Sequence, residues 1–446
     1  MRQTTGLEDY YIYRNKLKLS TCVSVGGTYG LPIFGDKNLV FQVLKELIHE
    51  NSPLRTNYKE VDGVEKWQLD PVKTILYDDV VKPCPYTECS AEFLEWSHSL
   101  ENRLEIGSYK PLWRLNILND FTACFSYDHT AMDGISGMAF HSKFREAAEK
   151  YVNGDKNNQI DGSSLLYEDF QVTRCEKKMP NGELLHNFNP PILTKVSMLW
   201  LILVNPSIQK LLGRAHASVP KTEYKSDTKV EIINIDSETL KAIQLRCKEE
   251  NVRLVCWIIT CLQLVLKEFL PKNQSLQGNI PINVRPLIKD IGTPLGLYVC
   301  GFTIPLEALD FKGDETQTIL KQAQKRSIEV DGVLNDDCRY PIYSIGLLRA
   351  IPSIKNYLEK GITQDRETAL ECSNLGLFKQ PKDSVLRVQD LIFSNADFVN
   401  GSAFAAYCVS TEEGGLNICL VNNKEYYKHV NTVSEELIKV LKSIIN

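Results

Sequence analysis

Apolar and polar positions repeat with two periods along the chain, and the switches between them mark its elements. "LSTCVSVGGTYG" (19–30) alternates as a strand does. "DKNLVFQVLKELIHENSPL" (36–54) then places apolar residues at helical spacing up to a proline. "KPLWRLNILND" and "FTACFSYDHT" (110–130) predict two strands joined by a short Asn-Asp turn, and "SGMAFHSKFREAAEKYV" (136–152) predicts an amphipathic helix just beyond.

Over residues 152–228 both periods fail. "NGDKNNQIDGSS" is turn-rich and "HNFNPP" cannot be regular helix, so this stretch reads as a crossover. Periodicity returns with "KVEIINID" (229–236), a strand running to Ser237 as helix N-cap, and then the helix "ETLKAIQLRCKEEN". The final third alternates in "QGNIPINVRPLI", "GLYVCGFTIPL", "ALECSNLGLF", "VQDLIFS", "SAFAAYCVST" and "GLNICLVNN", and closes on the helix "VSEELIKVLKSIIN". The expected organisation is an N-terminal domain at 1–151, a crossover at 152–228 and a C-terminal domain at 229–446. Strands and helices mix in both halves, which implies two α/β layered domains with a groove between them.

A length of 446 residues suits two cores better than one. A net charge of −5 offers no electrostatic attraction for nucleic acid. The thirteen cysteines are odd in number, and Cys124, Cys256, Cys261, Cys300, Cys408 and Cys419 sit inside apolar runs, as core thiols do. With no apolar signal core in "MRQTTGLEDYYIYRNKLKL", the expectation is a reducing, intracellular setting. "LVCWIITCLQLVL" (254–266) is too short to span a bilayer and reads as a buried helix. "MLWLILV" (198–204) reads as core packing or linker, with a membrane-surface helix as the other option.

The chemistry concentrates in "CFSYDHTAMDGISG" (124–137). His129 stands at a strand end, where a rigid scaffold can present a side chain to a cleft, and neutral imidazole accepts protons near pH 7. Asp133 is open to three roles: orienting the ring, fixing the loop through a salt bridge, or forming half a metal site with His129. Gly134 would let the backbone turn sharply into the helix. A purely structural turn accounts for the same residues. The cysteine pair in "CPYTEC" has no partner pair and makes no convincing zinc site. No phosphate-binding loop, dinucleotide fingerprint or serine-nucleophile elbow is present.

"PLWRLNIL" (111–118) followed by "SYDHTAMDGISG" resembles the H-x-x-x-D-G acyltransferases, and among them the fungal alcohol acetyltransferases. "GLEDYY" (6–11) is similar to that family's opening. "SNLGLF" (373–378), "VQDLIFS" (388–394) and "CVSTEEGGLNICLV" (408–421) are similar to its C-terminal signature. The resemblance implies two chloramphenicol-acetyltransferase-like α/β domains with mixed sheets, flanking helices and an active-site tunnel at their interface. It implies His129 as general base and Asp133 as a structural residue paired with Arg285. Ser373 or Asn374 would be donors to the thioester oxygen, with Gly376 allowing close backbone approach. Acetyl-CoA would be the co-substrate, with no metal and no nucleic acid. The acceptor would be a small alcohol or long-chain amine, such as a sphingoid base. The resemblance also implies a cytoplasmic enzyme, or one at the cytoplasmic face of the endoplasmic reticulum or a lipid droplet. Its expected state is a monomer with peripheral membrane contact, although with only "MRQTT" before the family-like start the expected N-terminal anchor is missing or minimal. A family member that has lost catalysis and binds lipid or CoA, or scaffolds other proteins, is the alternative. Condensation on a carrier-protein thioester is the weakest reading.

Overall fold

A computed structural model describes residues 2–61, 66–154, 164–168, 181–203, 216–221, 224–272, 274–309, 314–425 and 433–445, with the side chains of 198–203 excepted. Its strands in chain order are β1 (Val23–Tyr29), β2 (Tyr58–Glu60), β3 (Trp67–Leu69), β4 (Thr74–Leu76), β5 (Val81–Lys82), β6 (Trp113–Ile117), β7 (Thr122–Tyr127) and β8 (Leu165–Glu168). They continue as β9 (Thr228–Ile235), β10 (Leu276–Asn283), β11 (Val299–Leu306), β12 (Leu370–Leu377), β13 (Val388–Asn395), β14 (Phe404–Thr411) and β15 (Gly415–Asn423). Two mixed sheets result, in the orders β13-β1-β7-β6-β5 and β11-β10-β12-β14-β15-β9, with β2–β3 and β4–β8 as small ribbons. Strand β13, from the C-terminal third of the chain, completes the first sheet by pairing antiparallel with β1, Val23 opposite Asn395.

Helices cover the sheets where the apolar spacing calls for them. The helices that matter below are α1 (Gly6–Lys16), α2 (Lys37–Glu50), α3 (Gly134–Asn153), α4 (Leu254–Val265), α5 (Glu315–Asn335) and α6 (Val433–Lys442). α2 and α3 bury Val40, Leu44, Phe140 and Phe144 in one core with β1, β6 and β7. α4 is buried almost all round, and Trp257, Ile258 and Leu262 join α5, α6 and the second sheet in another core. A smaller third core joins Leu7 of α1 to Phe188 of the crossover and to Val284 and Tyr298. Strands β7, β14 and β15 are buried on both faces, hence their near-continuous apolar sequences.

The strands and helices expected from periodicity are present, with three differences. Asp236, not Ser237, caps the helix Ser237–Glu249, its Oδ1 accepting from the Thr239 amide at 2.8 Å. The final third is not only strand: α5 and the helices Arg339–Gly346 and Ile354–Ile362 lie between β11 and β12. Their apolar positions are sparse, since α5 buries little more than Ile319, Leu320, Ala323 and Val330 on one narrow face. The run at 198–204 lies in the helix Ile192–Leu203, and its side chains, with all of Val204, lie outside the described residues. Among the described residues no helix is long and apolar enough to cross a membrane, and the twelve cysteines are free thiols.

Candidate active site

His129 follows the end of β7, at the rim of a cavity of about 320 Å³ walled by α1, the start of α3 and strands of the second sheet. The loop carrying it is pinned on every side. Asp128 accepts from the Thr130 amide at 2.8 Å and from Asn15 Nδ2 at 2.5 Å, and the Tyr127 hydroxyl donates to the Asp133 carbonyl at 2.7 Å. The His129 ring stacks on Tyr11 of α1, centroids 4.2 Å apart and planes within 8°. Such a pair contributes roughly 0.5–1.5 kcal/mol beyond area burial. Nδ1 is buried against the backbone of His129 and Met132, and the ring lines the cavity. Burial, and then the nearby positive charge of Arg14, pull the imidazole pKa down to about 4, partly opposed by local backbone and the Asp133 charge. The ring is therefore neutral at physiological pH and free to take a proton.

Asp133 caps α3 and points its carboxylate into a buried network. Arg285 meets it as a fork, Nη1 to Oδ2 at 2.8 Å and Nη2 to Oδ1 at 3.0 Å, and both side chains are 3% exposed. The same carboxylate accepts from the Tyr298 amide at 2.7 Å and from the Ser136 amide and hydroxyl, both at 2.9 Å. Arg285 also donates to the Pro294 carbonyl and lies 4.4 Å from the Tyr298 ring centroid. Of the three roles open to Asp133 in the sequence, the one observed is the salt bridge that fixes the loop. Both carboxylate oxygens are committed to groups other than the His129 ring.

Ser373 and Asn374 lie on β12, in the same cavity as His129. Residues two apart on a strand share a face. Leu370 and Cys372 accordingly join the core, while Glu371 and Ser373 line the cavity. Asn374 Oδ1 accepts from the Gly376 amide at 2.8 Å, which leaves the side-chain nitrogen as the donor end of that amide. Pairing with β14 is irregular between Asn374 and Leu377, and Gly376 takes φ +82° there, a left-handed conformation that suits glycine. Gly134 differs from expectation. It has no left-handed φ; instead a Cβ there would stand 2.8 Å from Leu375 Cδ2 and 3.0 Å from Phe393 Cζ. Its role is close approach between α3 and strands β12 and β13.

All seven sequence candidates thus fall in or directly behind one cavity. Other lining residues went unrecognised in the sequence: Tyr11 and Arg14 on α1, Asn279 on β10, Glu371 on β12 and Tyr407 on β14. A signal existed for two groups of them. Tyr11 ends the family-like opening "GLEDYY", and Glu371 precedes Ser373 by the two residues that keep strand neighbours on one face. α1 is held at its start by a Thr5–Glu8 capping box and by Glu183 of the crossover, whose carboxylate accepts from the Gly6 and Leu7 amides at 3.3 and 3.2 Å. Among the described residues no cluster of three or more His, Cys, Asp or Glu side chains could hold a metal.

Known proteins share the fold and the family pattern of this chain. The solved structure of TRI3 trichothecene 15-O-acetyltransferase from Fusarium sporotrichioides superposes with a TM-score of 0.70 at 12% identity, over 99% of this chain and 95% of that one. The epimerization domain of tyrocidine synthetase B superposes with a TM-score of 0.61 at 14% identity, over 100% and 97%. The fold is therefore the two-domain, chloramphenicol-acetyltransferase-like architecture of these proteins. In sequence, the chain is 24% identical to a probable alcohol acetyltransferase, crmB, of Aspergillus fumigatus, over 72% of this chain and 70% of that protein. It is 23% identical to the uncharacterized protein C18B11.03c of Schizosaccharomyces pombe, over 99% and 98%. The alcohol acetyltransferase family model matches residues 4–445, nearly the whole length. By that match the chain belongs to the alcohol acetyltransferase family and is an acyltransferase.

Proposed function

We propose that this protein transfers an acetyl group from acetyl-CoA to the hydroxyl of an alcohol or the amine of a long-chain base, by direct attack in a ternary complex. The observation that carries the reading is the neutral imidazole of His129 in a cavity opposite Ser373 and Asn374, with Asp133 committed elsewhere. Nε2 takes the proton of the acceptor as its oxygen or nitrogen forms a bond to the thioester carbonyl carbon. Negative charge then builds on the former carbonyl oxygen, where the Ser373 hydroxyl and the Asn374 amide can donate. Collapse breaks the carbon–sulfur bond, and the imidazolium returns its proton to the departing thiolate. No side chain is acetylated on this route. Gly134 keeps the cavity open beside the base, and Gly376 sets the turn that aims Asn374. Arg285 holds Asp133, and with it the loop that carries His129.

The exposed side chains of Ile192, Leu193 and Val196 support peripheral contact with a membrane carrying water-insoluble acceptors, as at the cytoplasmic face of the endoplasmic reticulum or a lipid droplet. The test is thiol release from acetyl-CoA in the presence of mixed alcohols and long-chain amines. Wild type should release thiol only with an acceptor, and His129→Ala should lower turnover by roughly 10²–10⁴-fold while keeping its fold. Near wild-type turnover in His129→Ala would overturn the mechanism. Silence of the wild type with every acceptor would favour a lipid- or CoA-binding protein instead.

A further inference from the structure

Beside His129 the cavity wall carries charge and hydrogen-bonding capacity that the acetyl transfer does not use. Arg14 is 8% exposed, yet its guanidinium makes a single hydrogen bond among the described residues, from Nη2 to Ser20 Oγ at 2.8 Å. It lies over Phe398 at 4.2 Å and against Tyr11 at 5.6 Å, and it lines the cavity. Glu371 on the same wall accepts from Asn279 Nδ2 at 2.8 Å and from the Tyr407 hydroxyl, and a carboxylate has lone pairs beyond these two. Asn395 lines the cavity too, and its side-chain oxygen is buried with no partner.

Leaving a buried cation and a buried amide oxygen unpaired costs about 1–3 kcal/mol or more apiece. A hydrocarbon chain against this wall would impose that cost in full. A carboxylate would suit Arg14 but be repelled by Glu371. A hydroxyl satisfies both sides, accepting from Arg14 and donating to Glu371 or Asn395, and an amino group can donate to both acceptors. We propose that Arg14, Glu371 and Asn395 form a polar subsite that holds a second hydroxyl or amino group of the acceptor, close to the group that is acetylated. The inference rests on the acetyltransferase reading above and narrows its acceptor to bifunctional alcohols and amino alcohols. Tyr11, stacked on His129 and lying beside Arg14, sets the spacing between the two polar groups at about one aromatic ring.

The test compares octanol, its vicinal diol and its vicinal amino alcohol as acceptors with acetyl-CoA. The wild type should prefer the diol or the amino alcohol to octanol by roughly 10²-fold or more in kcat/KM, because a site built for a hydroxyl rejects the analogue that lacks it. Glu371→Gln, which is isosteric, and Arg14→Lys, which keeps the charge but loses the planar donor fork, should bring that ratio toward one and leave the KM for acetyl-CoA unchanged. A ratio near one in the wild type overturns the proposal without any variant. So does a ratio retained in both variants, or a raised KM for acetyl-CoA alone, which would assign the subsite to the pantetheine arm. If no acceptor releases thiol, the acetyltransferase reading falls separately. Calorimetric binding of octanol and octanediol to the His129→Ala protein then still decides the subsite, equal affinities refuting it.

Discussion

Removing the Asp133 carboxylate should damage the protein as a scaffold before it damages the chemistry. Asp133→Asn keeps the shape of the side chain but sets an amide against the Arg285 fork and leaves a guanidinium, 3% exposed, without its counter-charge. Breaking a buried ion pair from one side costs about 3–5 kcal/mol. The unfolding entropy, about 2.1 cal/mol/K per residue, gives ~0.9 kcal/mol/K over 446 residues, so the melting temperature should fall by roughly 3–5 °C. The Tyr298 amide donates to Oδ2 at 2.7 Å and the Ser136 amide to Oδ1 at 2.9 Å, so one of the two keeps an acceptor in the asparagine variant and neither does in Asp133→Ala. The alanine variant should therefore melt lower still. Replacing both partners, as Asp133→Ala with Arg285→Met, should recover part of the loss, since no charge then stays buried alone. The assay is a melting curve followed by fluorescence, read beside thiol release at a temperature where each variant is folded. Turnover should fall along with stability and recover in part in the double variant. An Asp133→Asn protein that melts with the wild type yet has lost turnover would place the carboxylate in the chemistry and refute the scaffold assignment.

Three further outcomes follow from the same site and its surroundings. Because the neutral His129 is the active form and its pKa is lowered to about 4, kcat/KM should hold level from pH 7 to about 5; an acidic limb near pH 6.5 in initial rates would contradict this. Gly134→Ala should cost about 1–3 kcal/mol and crowd the acceptor beside His129, so KM should rise; an unchanged melting temperature and KM would mean Leu375 and Phe393 yield freely. His98 and His141 are buried neutral, their pKa values pulled by burial to about 3 and about 4, below the ordinary 6.5. The unfolded chain therefore binds protons first as pH falls from about 6.5 toward 4, and stability should drop across that window and not above it. Equal urea midpoints at pH 7.5 and 4.5 would overturn the assignment.

Much of this was legible in the sequence because local patterns carried it. The 124–137 stretch announced a strand, a histidine at its end and a helix, and all three stand where the periods change. Arg285 was legible only through resemblance: nothing local in "INVRPLI" says that a guanidinium 152 positions away will clamp Asp133. Arg14 and Asn395 were not legible, since a lone arginine on a short helix of mixed polarity and an asparagine at a strand end are common surface residues. Only the pairing of β13 with β1, and the contacts of α1 with the loop after β7, bring them together inside. α5 was passed over for the opposite reason, its buried face being too narrow to stand out among charged residues.

The place of β13 in the first sheet also bears on how the protein is made. During synthesis β1 has β7 on one side early, but its other edge has no partner until the chain has grown past Asn395. An unpaired strand edge is a template for association with other chains, and contacts across so long a loop form slowly. The growing polypeptide therefore carries an adhesive, incomplete sheet for most of its time on the ribosome. A nick in the crossover would not free two independent bodies, because the last strand of the first sheet belongs to the second piece. Expression yield of this protein should respond more to chaperone supply and growth temperature than to changes at its surface.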